Sequence, residues 1–196
     1  MVLNIFDFDG TLFGSPGPIS TYKGRSQGGW WADSVSLSSP CVPEIPDMSW
    51  WNTPIVALAS KSISSPNTLT ILMTGRSNQN GALRFRVAEL LQQANLNFDR
   101  VYLKTGDYSS TMAFKVATIS AILDRNPDIT EMHIWDDRHN HLPSFIEAAE
   151  DAGVDGMAHP VTRFEHEHDC SPEEFSAMLS ESKLRDLIKL MCMINS

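Results

Sequence analysis

The sequence predicts an α/β fold, a three-layer sandwich on a parallel five-stranded sheet with a tryptophan-rich insertion after the first strand. Two observations predict it. Short apolar runs alternate along the chain with segments whose apolar residues recur at helical spacing. Carboxylates, a hydroxyl and basic residues stand at the ends of those runs, where open parallel sheets place their sites.

The elements follow in order. Val2 to Phe8 reads as a buried strand, broken by Gly10, Thr11 and Gly14. Residues 14 to 67 are rich in Ser, Pro and Gly and carry Trp30, Trp31, Trp50 and Trp51; they read as a lid- or cap-like insertion with one short helix near Ile55 to Ala59. Thr68 to Met73 is the second strand, stopped by Thr74-Gly75. Leu83, Val87, Leu90, Leu91 and Ala94 mark a helix. Arg100 to Leu103 is the third strand, and Met112, Val116, Ile119 and Leu123 mark a helix capped by Ser110 or Thr111. Glu131 to Trp135 is the fourth strand, Pro143 to Ala152 a helix, and Val154 to Val161 the fifth strand. A capping box at Ser171 to Glu174 opens a last helical stretch to about Met193. The whole chain, 1–196, reads as one domain.

Composition excludes some classes. The 42% hydrophobic and 20% charged content is ordinary for a globular protein. No apolar run is long enough to cross a bilayer, and the opening MVLNIFDFDG has no basic n-region or cleavage site. The expectation is an intracellular protein, cytoplasmic or nuclear, without a membrane partner. Cys41, Cys170 and Cys192 are far apart and odd in number, which predicts a reducing compartment and no disulfide framework. A net charge of −9 argues against nonspecific coating of a duplex, but leaves room for a local basic pocket that grips one strand end.

Asp7 and Asp9 flank Phe8, so both can stand at one strand end, with Asp136 and Asp137 brought alongside. Carboxylates at that density repel unless a cation is present, and an all-oxygen ligand set suits Mg²⁺. One Asp can then attack phosphorus while the other exchanges a proton with the leaving oxygen and with water. Thr74 offers a hydroxyl and a backbone N–H to a phosphoryl group, and Lys115 offers a charge that also restrains Asp7.

The segments Asp7-Phe8-Asp9-Gly10-Thr11-Leu12, Thr74-Gly75-Arg76, Lys115 and Asp136-Asp137-Arg138 resemble, in order, the four motifs of the haloacid dehalogenase (HAD) superfamily. The resemblance implies a HAD-like Rossmannoid sandwich with strand order 5-4-1-2-3 and an aspartyl-phosphate route. Asp7 would be the nucleophile, Asp9 the general acid and base, and Thr74 and Lys115 the phosphate ligands. Asp7, Asp9, Asp136 and Asp137 would form the Mg²⁺ site, with the Asp9 backbone carbonyl as a further ligand. A narrower resemblance joins the TGR and DDR forms to polynucleotide 3′-phosphatase domains. GGWW, the WN before strand two, LKTG, FK around Lys115 and IWDDR with a following His resemble the HAD domain of Swiss Army Knife RNA repair proteins. It implies that Gly75, Arg76, Lys104 and Arg138 hold the phosphorylated end of an RNA or DNA strand, and that tryptophans stack a terminal base.

Other readings stay open. The substrate can be a nucleotide or another small phosphoester, or the chain can be a phosphate-docking module without turnover, with Asp7 tied up in a salt bridge. Arg76 and Arg138 can pair with carboxylates for structure, and the tryptophans can be the core of a small cap. His139 and His141 can face substrate. Arg84, Arg86 and Arg100 read as a solvated helix face, and the His166 to Cys170 stretch as a polar strand end rather than a zinc site.

Overall fold

A computed structural model describes residues 1–19, 29–77, 81–106, 108, 110–167, 170, 173 and 176. Five strands, β1 (Val2–Phe6), β2 (Thr68–Ser77), β3 (Arg100–Lys104), β4 (Glu131–Asp136) and β5 (Asp155–Pro160), form one parallel sheet in the order β3-β2-β1-β4-β5. That is the expected order read from the other edge. Helices α1 (Thr53–Ile63), α2 (Ala82–Gln93), α3 (Thr111–Arg125) and α4 (Leu142–Asp151) supply the outer layers. Among the described residues no helix is long and apolar enough to cross a membrane.

Strand alternation sends side chains to opposite faces, and each face has its own core. Leu3, Ile5, Ile71, Met73, Met132 and Ile134 pack against Phe114, Ile119 and Ile122 of α3 and Phe145 and Ala149 of α4. Phe6 and Leu72 pack on the other side with Ala59 of α1 and Leu83, Val87 and Leu90 of α2. Register puts Phe6 opposite both Leu72 and Trp135, so β1 and β4 end close together and the residues after them converge beside the last turns of β2.

Several boundaries move. β2 runs on to Ser77, past Thr74-Gly75, with an irregularity against β3 between Thr74 and Ser77. The helix expected over five residues is α1, eleven residues long, with Pro54 in its first turn. The stretch from Ser171 onward lies almost wholly outside the described residues, and with it the expected last helix.

The insertion is more than a lid. Leu37, Val42, Trp50 and Trp51 are fully part of the core on the α1–α2 face. Trp51 packs edge-on to Phe13 with ring centroids 4.9 Å apart. Short 3₁₀ turns at Trp30–Ala32, Ser34–Leu37 and Met48–Trp50 carry the chain between these anchors. The expectation of unpaired cysteines is overturned: Cys41 and Cys170, 129 residues apart, are disulfide-bonded and buried with Trp30. Residue spacing could not show it, because the pairing depends on the insertion folding back to the segment after β5.

Arg86 also departs from expectation. It is buried, not solvated, and donates to the backbone carbonyls of Leu37 (2.8 Å), Pro43 (2.8 Å) and Glu44 (3.1 Å). One guanidinium thus satisfies three carbonyls of an irregular segment that has no ladder of its own. Losing it strands those acceptors, so Arg86→Met should cost about 3 kcal/mol in urea unfolding, while Arg84→Ala on the exposed side should stay within about 0.5 kcal/mol. Equal stability of the two variants would contradict this role.

Candidate active site

The convergence of β1, β2 and β4 brings four segments to one place. Asp7 follows β1, its N–H held by the Trp135 carbonyl at 3.0 Å. Asp136 ends β4, one register step beyond Trp135. Lys115 sits early in α3, whose start is fixed by Ser110, its side chain accepting from the Ala113 N–H. The Lys115 ammonium lies 2.7 Å from Asp7 Oδ1 and 2.6 Å from Asp136 Oδ2. All three side chains are buried.

Burial and charge pull against each other here. Burial pushes the Asp7 carboxyl up to about 8; Lys115 opposes that rise, and Asp136 and Asp9 add to it. Burial alone would pull the Lys115 ammonium down, but Asp7 and Asp136 together outweigh it and hold Lys115 above the usual lysine value. One ammonium facing two carboxylates leaves an acidic excess.

A cation fits that excess. Carboxylate oxygens of Asp7, Asp136 and Asp137 lie within 4.8 Å of one another. Asp137 Oδ1 is buried and has no hydrogen-bond partner among the described residues. An all-carboxylate set with one orphaned oxygen is the donor chemistry of a hard divalent ion. Arg163 Nη1 holds the other oxygen of Asp137 at 2.6 Å. A Cβ on Gly10, whose φ is +74°, would stand 2.7 Å from Asp137 Oδ2 and 3.1 Å from Arg163 Cγ, so only glycine lets the β1 loop approach this pair. Arg163 was not a sequence candidate. It lies after the last expected strand and outside any motif, and the Val161 N–H to Asp136 carbonyl bond (3.1 Å) and the Phe164 N–H to Gly10 carbonyl bond (2.7 Å) bring it in.

Asp9 is placed differently from the expected metal set. Its side chain turns away from the three-carboxylate cluster and accepts from Arg76 Nε at 2.8 and 3.0 Å, with Arg76 Nη2 2.7 Å away. Ser15 Oγ donates to it at 2.5 Å and Thr74 Oγ1 at 3.2 Å. The reason is electrostatic: Arg76 is 1% exposed, so its charge and its N–H donors need partners inside the protein, and Asp9 supplies both. Arg76 therefore pairs with Asp9, and its Nη1 donates to Ser36 of the insertion at 2.6 Å. The Thr74 hydroxyl is buried against Asp9, away from the cavity wall.

A cavity of about 280 Å³ opens above these groups, lined by Asp7, Asp9, Gly75, Arg76, Lys104 and Lys115, with Arg138 and Trp31 at its sides. A Cβ on Gly75 would meet Thr111 at 2.6 Å, so glycine lets α3 come close to the end of β2. Lys104 reaches the Tyr108 carbonyl at 3.4 Å. Arg138 is exposed and makes no ion pair among the described residues. His139 bonds the Val161 carbonyl and His141 packs on Phe145; neither lines the cavity. His166 stacks on Trp50 with centroids 3.8 Å apart, and His168 and Asp169 lie outside the described residues.

This α/β fold is similar to the HAD domain of the effector protein Lem4 from Legionella pneumophila, whose inactive mutant matches with a TM-score of 0.50 at 12% identity over 91% of each chain. The Pnkp1/Rnl/Hen1 RNA repair complex is similar with a TM-score of 0.46 and 17% identity, over 83% of this chain and 43% of that chain. At that distance the likeness bears on neither chemistry nor substrate. The uncharacterized Saccharomyces cerevisiae protein YMR265C is 30% identical over 168 residues, 73% of this chain. The chain spans 36% of the length of that yeast protein. The chain belongs to HAD domain family 1 of the Swiss Army Knife RNA repair proteins, whose family model matches residues 15–168. The match begins after Asp7 and Asp9 and takes in Thr74, Arg76, Lys115, Asp136, Asp137 and Arg163.

The raised Asp7 has a consequence for stability. A carboxyl whose folded pKa exceeds its unfolded value stabilises the fold below the unfolded value and loses that contribution as pH rises through the folded one. For Asp7 the window runs from about 4 to about 8, and Lys115 titrates above it. In metal-free buffer, wild type should therefore lose thermal stability relative to Asp7→Asn as pH rises across that window. A difference between the two proteins that does not change with pH would contradict the buried, acid-excess site.

Proposed function

We propose that the chain is a Mg²⁺-dependent phosphohydrolase that removes phosphate from the end of an RNA or DNA strand through an aspartyl-phosphate on Asp7. The observation that carries the catalytic part is the Lys115 bridge, which holds Asp7 and Asp136 at adjacent strand ends, with Asp7 and Lys115 lining a cavity that Lys104 and Arg138 also line. Asp7, Asp136 and Asp137, with the Asp9 backbone carbonyl, would hold the ion. When bound, it neutralises charge on the phosphoryl oxygens and the acidic excess of the site.

The chain's own residues would do the rest. An Asp7 carboxylate oxygen attacks phosphorus, and the P–O bond to the leaving group breaks. Asp9 supplies a proton to the leaving oxygen. Water then attacks the acyl phosphate and gives a proton to Asp9, which releases inorganic phosphate and restores both carboxyl groups. Lys115 restrains Asp7 and sits where it can meet phosphoryl charge. Lys104 and Arg138 are cations on the cavity wall with no carboxylate partner among the described residues, which suits them to substrate phosphates. Arg76 is assigned to Asp9 and not to substrate.

Membership of a family named for RNA repair proteins supports a strand end as the substrate. So does a basic cavity in a chain of net charge −9, since the cations are concentrated where a phosphate would lie. A small phosphoester is the second reading, favoured by the cavity's modest volume. The salt bridge that ties Asp7 would also suit a phosphate-docking module, and turnover separates the two.

Phosphate release should be measured with Mg²⁺ from a 3′-phosphorylated oligonucleotide, a 3′-mononucleotide and an aryl phosphate. The expected result is turnover fastest on the oligonucleotide, lost on chelation, and reduced at least about a thousandfold in Asp7→Asn. Turnover confined to the small esters would move the function to metabolite dephosphorylation, and silence on all three would leave the docking module. Arg138→Ala should raise KM for the oligonucleotide about five- to tenfold with little change in kcat, because its cation acts on bound phosphate before and during reaction alike. An unchanged KM would remove Arg138 from the substrate path.

A further inference from the structure

The four tryptophans of the insertion do not play one role. Trp30, Trp50 and Trp51 are 3%, 4% and 2% exposed. Trp30 packs with the Cys41–Cys170 disulfide and donates its indole N–H to the Pro16 carbonyl, and Trp50 and Trp51 belong to the core beside α1 and α2. Trp31 alone among them lines the cavity above Asp7, and it is half-buried. Its ring lies over the Arg76 guanidinium, 5.1 Å from carbon to centroid.

Three features make Trp31 more than a piece of wall. The first is rigidity. It sits in the 3₁₀ turn Trp30–Ala32, closed by the Asp33 N–H on the Trp30 carbonyl, and its neighbour Trp30 is anchored in the disulfide cluster. A planar side chain held this way loses little entropy on meeting a ligand. The second is the fixed cation beneath it. Arg76 is itself held by Asp9 and Ser36, so it cannot follow a ligand away from the ring. The third is position. Arg76 is bonded to Asp9 and Trp31 lies on Arg76, so the ring stands on the Asp9 side of the cavity, the side of the leaving oxygen in the proposed reaction.

We infer that Trp31 is the platform on which the nucleobase next to the scissile phosphate stacks, so that the site takes phosphate esters whose leaving group is a base-bearing nucleoside end. The inference rests on the proposed phosphatase reading and deepens it. A cavity of about 280 Å³ is lined by Asp7, Lys115 and the Trp31 ring together, and a terminal nucleotide carries a phosphate and a flat ring in one small unit. Stacking tolerates any base, because each has a π face, so the platform selects for a base rather than for its identity.

The test uses the full chain carrying Asp7→Asn, with Mg²⁺, so that binding is read without turnover. Two fluorescein-labelled single strands differ only at the end: one finishes in a nucleoside 3′-phosphate, the other in an abasic 3′-phosphate. The expected result is that the base-bearing end binds about tenfold more tightly, that Trp31→Ala brings the ratio close to one, and that Trp31→Phe keeps most of it. Thermal midpoints of the variants, with Trp31→Leu as a bulkier non-aromatic control, show that the fold is intact. Equal binding of the two ends, a ratio unchanged in Trp31→Ala, or no binding of either strand would overturn the inference. Wild-type phosphate release from both ends at one rate, with the binding ratio absent, would overturn it and leave the phosphatase reading standing. Absence of release from any ester, with the binding ratio present and lost in Trp31→Ala, would remove turnover but keep the platform.

Discussion

The structure depends on a single ammonium group. Lys115 of α3 lies between Asp7 at the end of β1 and Asp136 at the end of β4, buried with both. A buried cation needs partners, and these two carboxylates come from neighbouring strands whose register leaves them side by side. The pairing dictates where α3 must start relative to the sheet and forces Gly75 where Thr111 crosses the end of β2. It also leaves the site one negative charge in excess, with Asp137 facing the same space and one of its oxygens without a partner among the described residues. A buried ion cluster of this kind is weak evidence for stability, because its desolvation offsets much of its Coulombic gain.

A second buried cation organises the other half. Arg76 takes Asp9 out of the carboxylate cluster and ties it to Ser36, and so to the insertion. The two aspartates of one DxD pattern end in two environments, Asp7 with Lys115 and Asp9 with Arg76, Ser15 and Thr74. The two carboxylates thus face different cations, and the distinct roles proposed for them rest on that separation. Because Arg76 reaches Ser36 and underlies Trp31, the insertion is mechanically joined to Asp9.

The strand-end position of Asp7 and Asp136 was legible in the sequence, because alternation and helical spacing are local signals and a parallel sheet brings its carboxyl ends together; the strand order came from the resemblance of the four motifs to the HAD pattern. Lys115 was legible through its place in the helix before β4. What escaped was long-range. Arg86 sits on a helix among other arginines, and nothing local says that its face meets Leu37, Pro43 and Glu44. Arg163 enters the site only because the segment after β5 crosses the β1 loop at Gly10. The ion pair of Asp9 escaped for the same reason: its partner, Arg76, lies 67 residues away and is buried. Cys41 and Cys170 meet across 129 residues, a distance at which counting cysteines has no power.

The measurement that bears most directly on Asp7 as the nucleophile is a rapid acid quench of the Mg²⁺-loaded wild type during turnover of a phosphorylated strand end, followed by mass spectrometry of the peptide that contains residue 7. The account predicts a phosphoryl adduct on Asp7, absent from Asp7→Asn. Sustained turnover with no adduct at any quench time, and with inversion rather than retention of configuration at phosphorus, would contradict it.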